Sequence, residues 1–325
     1  MPLLSSYKNI ISWVIKIAVG LLSFYFIYDR LQSEFTAEKL IVIQSSLSSL
    51  GAYILLFCCL IFVPINWGIE SYKWQMITAP VEQVSYGTAS KSVYAGLCVG
   101  NLAPGRATEF LAKILFFTPQ HRTTITLLHF ANGMFQLAIT ILFGAMAVIV
   151  FYQDKLDTSN TKTFLTGLFC IVLLSVFTFF ITRFHYIQKW IVKKFERSLG
   201  HNAEPYTFTK NIIFKLFAFS VIRYVVFTFQ FVLLIKIFYS DAITSQLVAG
   251  ICIYFLLTTI LPMISFIEAA IRSAIALFVF SGSNVPEMAL VITAILLWVL
   301  NVVLPSIVGY IIIVKEKFEF SLFKK

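Results

Sequence analysis

The sequence predicts an all-α, polytopic integral membrane protein with about six full spans and two broken, re-entrant helical hairpins arranged as an inverted repeat. Three observations predict it. Of 325 residues, 59% are hydrophobic and only 12% charged, against about 25% charged in soluble domains, and the mean hydropathy is +0.88. The apolar residues come in unalternating runs such as 137–151 and 171–181, which suits helices and not the alternating strands of a barrel, because lipid forces each segment to pair its own backbone. Two further apolar regions are each cut by a proline with charges close behind it. Together these exclude a soluble enzyme, a nucleic-acid-binding domain and a disordered tail. The formal charge of +10 follows from basic cytoplasmic loops and anionic lipid headgroups, with no nucleic acid implied.

About 20 helical residues cross a hydrocarbon core of about 30 Å. Residues 10–28 make the first span, retained because Lys16 interrupts it and no small-x-small cleavage site follows. Residues 52–72 make the second. Residues 86–117 are apolar but broken at Asn101-Leu-Ala-Pro104-Gly105-Arg106. Spans follow at 124–152, 163–183 and 211–239. Residues 243–282 are broken at Pro262, with Glu268 and Arg272 beyond it, and 287–314 make the last span. Cys58, Cys59, Cys98, Cys170 and Cys252 all lie in apolar stretches without Cys-x-x-Cys spacing, as small core residues do.

Charge sets the orientation. The segment 183–210, with Lys189, Lys193, Lys194 and Arg197, and the tail, with Lys315, Lys317, Lys324 and Lys325, belong in the cytoplasm. With the N-terminus also inside, the segment around Lys73 is cytoplasmic and region 86–117 must return to the side it entered. As helix it is about 48 Å long, too short for two crossings, so it dips in and returns. Region 243–282 does the same from the outer face. The chain is then one membrane domain, 1–325, with inverted halves 52–152 and 211–314. That is the plan of many transporters. Each break is followed by the same spacing: Pro104 then Glu109 and Lys113, Pro262 then Glu268 and Arg272.

No Gly-x-Ser-x-Gly, His-Glu-x-x-His or phosphate-loop pattern occurs, and His121, His129, His185 and His201 lack metal-ligand spacing. No enzyme activity, cofactor or metal is expected. The acidic pairs Glu34/Glu38 and Asp154/Asp157 are read as solvated loop charge; the alternative is the acidic pair of a glycosyl- or lipid-modifying membrane transferase. Charges at membrane depth cost about 2.5–3.5 kcal/mol each and signal function. Lys16, Lys215 and Lys236 lie near span ends, where they snorkel, whereas Arg223 is in mid-span. After Pro104 and Gly105 a new helix begins, whose free N–H groups suit an anion. Arg106 adds a bidentate phosphate donor, with Glu109 and Lys113 as a switchable counter-charge. The alternative is an Arg106–Glu109–Lys113 cluster that only pins the hairpin. Glu268, Arg272 and Arg223 are assigned to the opposite side of the site. His129, Asn132 and Gln136 share one helix face at i, i+3 and i+7. They line a cavity or bridge helices, as do Gln230 and Asn301.

The run Asn101-Leu-Ala-Pro-Gly-Arg-Ala-Thr-Glu109, with Leu111 and Lys113, resembles the Pro-x-Arg-x-Gly-Glu signature of the lysylphosphatidylglycerol synthase transmembrane family. Leu261-Pro-Met-Ile-Ser265, with Glu268 and Arg272, sits where that family has a second Pro-then-Gly/Arg/Glu motif, and 301–309 with Pro305 fits its last span. Thr108 replaces the motif glycine, and Ser265-Phe-Ile-Glu-Ala-Ala-Ile-Arg272 has no glycine. The resemblance implies a flippase-like domain of the cell inner membrane, both termini cytoplasmic, moving a polar-headed, anionic or phosphate-bearing phospholipid or glycolipid between leaflets. With no aminoacyltransferase domain before Lys325, the chain is not expected to make lysylphosphatidylglycerol. A non-transporting partner subunit of an envelope-biosynthesis enzyme is a further possibility.

Overall fold

The structure is a computed structural model that describes residues 44–101, 108–151, 208–239, 243–261 and 267–316, with isolated positions among 25–41 and 167–189. Among the described residues every regular element is helical. Four helices are long and apolar enough to cross a bilayer: Leu50–Thr78, Pro119–Val148, Lys210–Ile235 and Glu287–Lys315. The spans expected at 10–28 and 163–183 fall outside the described residues.

Helix α1 (Leu50–Thr78) is capped by Ser49, whose side chain accepts from Ala52 N–H. It continues well past Tyr72, because Lys73, Trp74, Ile77 and Thr78 are all buried and packing extends the helix beyond the edge that hydropathy marks. Helix α2 (Tyr86–Gly100) is capped by Ser85 and α3 (Glu109–Ile114) follows the first break. A 3₁₀ turn, Pro119–His121, leads into α4 (Arg122–Phe151). The second half begins with α5 (Lys210–Ile235), capped by Thr209, then α6 (Ser245–Ile260), capped by Thr244. After the second break come α7 (Glu268–Val279), α8 (Glu287–Trp298), a π-helical turn Val299–Val303 and α9 (Leu304–Lys315). The π turn has a local cause: Pro305 has no N–H to return to the carbonyl four residues back. Side chains occupy carbonyls at the gap, Ser306 Oγ donating to Val302 O at 2.6 Å and Asn301 Nδ2 to Leu297 O at 3.2 Å.

The order long helix, two short helices, long helix thus occurs twice. In each half the short helices fold back on each other. Ser92 of α2 donates to Lys113 O of α3 at 3.2 Å, and a Cβ on Gly96 or Gly100 would meet Lys113 or Glu109. In the second half Gly250 of α6 meets Phe280 beyond α7. The ends of the first hairpin also meet: Glu82, before α2, accepts from Thr118 N–H and Oγ1 and lies 2.9 Å from His121 Nδ1, both beyond α3. At 15 residues, α2 is about 22 Å long, short of a bilayer core.

The helices that open the two halves, α1 and α5, run antiparallel. Cys59 lies beside Gln230, Phe62 beside Phe229 with centroids 5.6 Å apart, Asn66 beside Arg223, and Tyr72 beside Phe219 at 5.2 Å. Each half also lends its last helix to the other half's hairpin. Helix α9 packs on α2, and α4 on α6. Each contact is closest at a glycine, Gly309 against the Tyr94 backbone and Gly144 against Leu256; such small residues let helices approach in a membrane.

Candidate functional site

A cavity of about 310 Å³ lies beside the π turn, at the small end of the ligand-pocket range. It is lined by Asn101, Glu268, Trp298, Val302, Val303, Ser306, Ile307 and Tyr310. Asn101 is the last described residue before the first break, and Glu268 opens the helix after the second. A residue flanking each break therefore lines one space, walled by the only π turn among the described residues, an irregularity common at functional sites. The wall is almost entirely apolar carbon, and two of its lining residues, Ile307 and Tyr310, are strongly exposed, so the cavity opens on the apolar outer face of the helices. Its polar end holds Asn101, whose Nδ2 donates to Ser306 Oγ, and the Glu268 carboxylate, buried and accepting from Arg272 Nη2 at 2.7 Å. The side-chain oxygen of Asn101 and the indole N–H of Trp298 have no hydrogen-bond partner among the described residues.

A second polar cluster is buried where α1, α3, α4 and α5 meet. Glu70 accepts from Arg223 Nη1 and, at 2.6 Å, from Asn132 Nδ2. Arg223 Nε donates to Asn66 Oδ1 at 2.9 Å, and its guanidinium lies 5.5 Å from the Trp67 ring centre. Lys73, fully buried, reaches Glu70 Oε2 at 3.5 Å. Lys113 pairs with Glu109 Oε1 at 2.7 Å, and its ammonium sits 5.0 Å from the Trp74 ring centre.

The predicted residues thus divide between two places. Glu268 lines the cavity and Arg272 holds it, while Glu109 and Lys113 make the equivalent i,i+4 pair in the other half. Arg223, assigned by sequence to the side of Glu268 and Arg272, has its partners on α1 instead. Asn132 joins it there, His129 stacks edge-on against Trp74, and Gln136 donates to Ser220 O at 3.5 Å. Gln230 bridges α5 to the Cys59 carbonyl at 3.0 Å. Pro104, Gly105 and Arg106 lie outside the described residues, as do Lys16 and the acidic pairs Glu34/Glu38 and Asp154/Asp157. Sequence reasoning missed Asn66, Glu70 and Lys73. The signal was there: Glu70 lies inside the predicted span 52–72, and the membrane-depth charge rule that singled out Arg223 applies to it equally.

No protein-family model matches the chain, and no curated protein matches it.

Proposed function

We propose that this protein moves a polar-headed lipid between the leaflets of a membrane by rocking its two halves about the interface of α1 and α5. The observation that carries the proposal is the cavity lined by Asn101 and Glu268, which flank the two chain breaks. A wall of apolar carbon that opens on an apolar face suits the acyl part of an amphiphile entering sideways, with the buried carboxylate, amide and hydroxyl of Glu268, Asn101 and Ser306 behind it for the headgroup. Three features support the alternating arrangement. The opening helices of the halves are antiparallel, as in inverted repeats. The Glu82 contacts to Thr118 and His121 hold both ends of the first hairpin together, as a re-entrant loop requires. Equivalent ion pairs follow each break.

In this reading Arg106 and the N–H groups after Gly105 hold a headgroup phosphate, with Glu109 and Lys113 as counter-charge and Glu268 and Arg272 opposite. The resemblance to the lysylphosphatidylglycerol synthase transmembrane family points the same way, to a bacterial inner membrane and an anionic or phosphate-bearing lipid. The test is lipid exchange in proteoliposomes carrying fluorescent phosphatidylglycerol in one leaflet, with dithionite quenching as the readout. The expected result is rapid exchange that Arg106→Ala combined with Arg272→Ala abolishes. Exchange equal to that of protein-free vesicles overturns the proposal, and undiminished exchange in the double variant overturns the site.

A further inference from the structure

The same two helices, α1 and α5, show how their interface is sealed without charge. At one end Gln230 donates to the Cys59 carbonyl at 3.0 Å and the Cys59 thiol points back to Gln230 O at 3.8 Å. At the other end the same crossing is made by Asn66, Glu70, Lys73 and Arg223, all buried. Packing alone does not require those charges, and burying them is costly.

Their balance is uneven. Among the described residues the charged groups facing the site are Glu70 and Lys73 on α1, Arg223 on α5, and Glu109 and Lys113 on α3, with His129 on α4 in electrostatic reach of Glu70, Glu109 and Lys113. Arg122, at the start of α4, is also buried and donates through Nε to the Ile114 and Phe117 carbonyls. Around Glu70, therefore, three cations stand against two carboxylates among the described residues. Lys73 is the weakest held. Among the described residues its ammonium has one acceptor, a Glu70 oxygen 3.5 Å away that Arg223 already occupies. An ammonium has three protons to donate, and a lysine side chain, unlike a guanidinium, can stand as a neutral amine.

The geometry points to Lys73 as a proton-coupling site. Lys73 is fully buried in this state, so the exchange accompanies separation of α1 from α5: its ammonium then releases one proton to the entering water, leaving a neutral amine beside a balanced Glu70–Arg223 pair, and a proton taken back restores the charge. Because Glu70 and Arg223 belong to opposite halves, the change alters the contact about which the halves would rock, and so ties one proton to one lipid step. The purpose rests on the translocation proposal; the protonation site does not, and the two are tested separately.

The first measurement needs no transport. The melting temperatures of the purified protein and of Lys73→Met are compared in detergent from about pH 6 to about pH 10, below the ordinary lysine range. The difference between them is expected to change with pH; a constant difference overturns the site. The second uses phosphatidylethanolamine–phosphatidylglycerol vesicles with a gradient of about one pH unit, which biases a one-proton step about tenfold. Fluorescent phosphatidylglycerol is expected to accumulate in one leaflet by up to that factor, reversing with the gradient, and to stay evenly shared in Lys73→Met. Even sharing in the unaltered protein overturns the coupling and leaves translocation standing. Failure of any label to cross overturns translocation, and the melting series alone then decides the site.

Discussion

The Glu70 cluster predicts an asymmetric response to neutralising its members. Glu70 accepts from Arg223, Asn132 and Lys73 at once, so Glu70→Gln strands two buried cations. Removing one partner of a buried pair costs about 3–5 kcal/mol, because the survivor keeps its desolvation penalty. Arg223→Met strands nothing of the same kind, since Glu70 retains Lys73 and Asn132; it loses the Asn66 bond and the short carboxylate contact, a cost of about 2 kcal/mol. Lys73→Met removes the cation in excess and gives up only a contact 3.5 Å long, so its cost at neutral pH stays within about 1 kcal/mol. The order of destabilisation is therefore Glu70→Gln, then Arg223→Met, then Lys73→Met. Unfolding free energies in mixed detergent micelles test it, with Glu70→Gln/Lys73→Met as a control in which the loss shrinks by about 1 kcal/mol or more relative to Glu70→Gln alone. Equal losses for Glu70→Gln and Lys73→Met, or strict additivity in the double variant, would refute the charge-balance reasoning.

Other perturbations test the packing. A Cβ on Gly309 would lie 2.0 Å from the Tyr94 carbonyl oxygen, which is backbone, and one on Gly144 would lie 2.7 Å from Leu256 Cβ. Both alanine variants should lose stability by about 1–3 kcal/mol, Gly309→Ala more because a side chain yields where a carbonyl does not, and thermal unfolding measures the order. Cysteines at Phe62 and Phe229, whose rings are 5.6 Å apart, should be joined by a short bifunctional reagent, whereas a pair at Phe62 and Phe219 should not; cross-linking of the second pair alone would reverse the antiparallel packing. Single cysteines at Ser85 and Gln120 should be labelled from the same side of the membrane by an impermeant maleimide, and labelling from opposite sides would refute re-entry.

How far the fold was legible in the sequence follows from what each signal measures. Hydropathy located all four long helices because apolarity is averaged over a whole span, and the two interruptions read from Pro104 and Pro262 fall between the ends of α2 and α6 and the starts of α3 and α7. It failed at the end of α1: Lys73 and Trp74 read as the polar edge of a span, yet both are fully buried, Trp74 against Ser92, Lys113, Phe117 and His129 and Lys73 beside Glu70. Charge spacing made the Glu109–Lys113 and Glu268–Arg272 pairs visible, because i,i+4 partners on a helix lie close together in the sequence. It could not reveal that Arg223 meets Glu70, 153 residues away, or that Asn101 and Glu268 share a cavity. Those contacts depend on two antiparallel helices facing each other, and no local pattern encodes which face of α5 turns toward α1.

The pseudo-symmetry explains why these non-local contacts take the form they do. If the two halves were identical, every crossing between α1 and α5 would occur twice. One crossing is indeed neutral and reciprocal, between Gln230 and Cys59, while the other carries all the charge, between Glu70, Lys73 and Arg223. The ion pairs after the breaks, by contrast, recur in both halves at 2.7 Å. The ion pair after each break is thus kept in duplicate, and the asymmetry is concentrated where α1 crosses α5. Under the translocation proposal, a symmetric transporter has equal reason to rest in either of two inverted states. A single set of buried charges at its axis, balanced by the gain or loss of one proton, is enough to make one state differ in energy from the other.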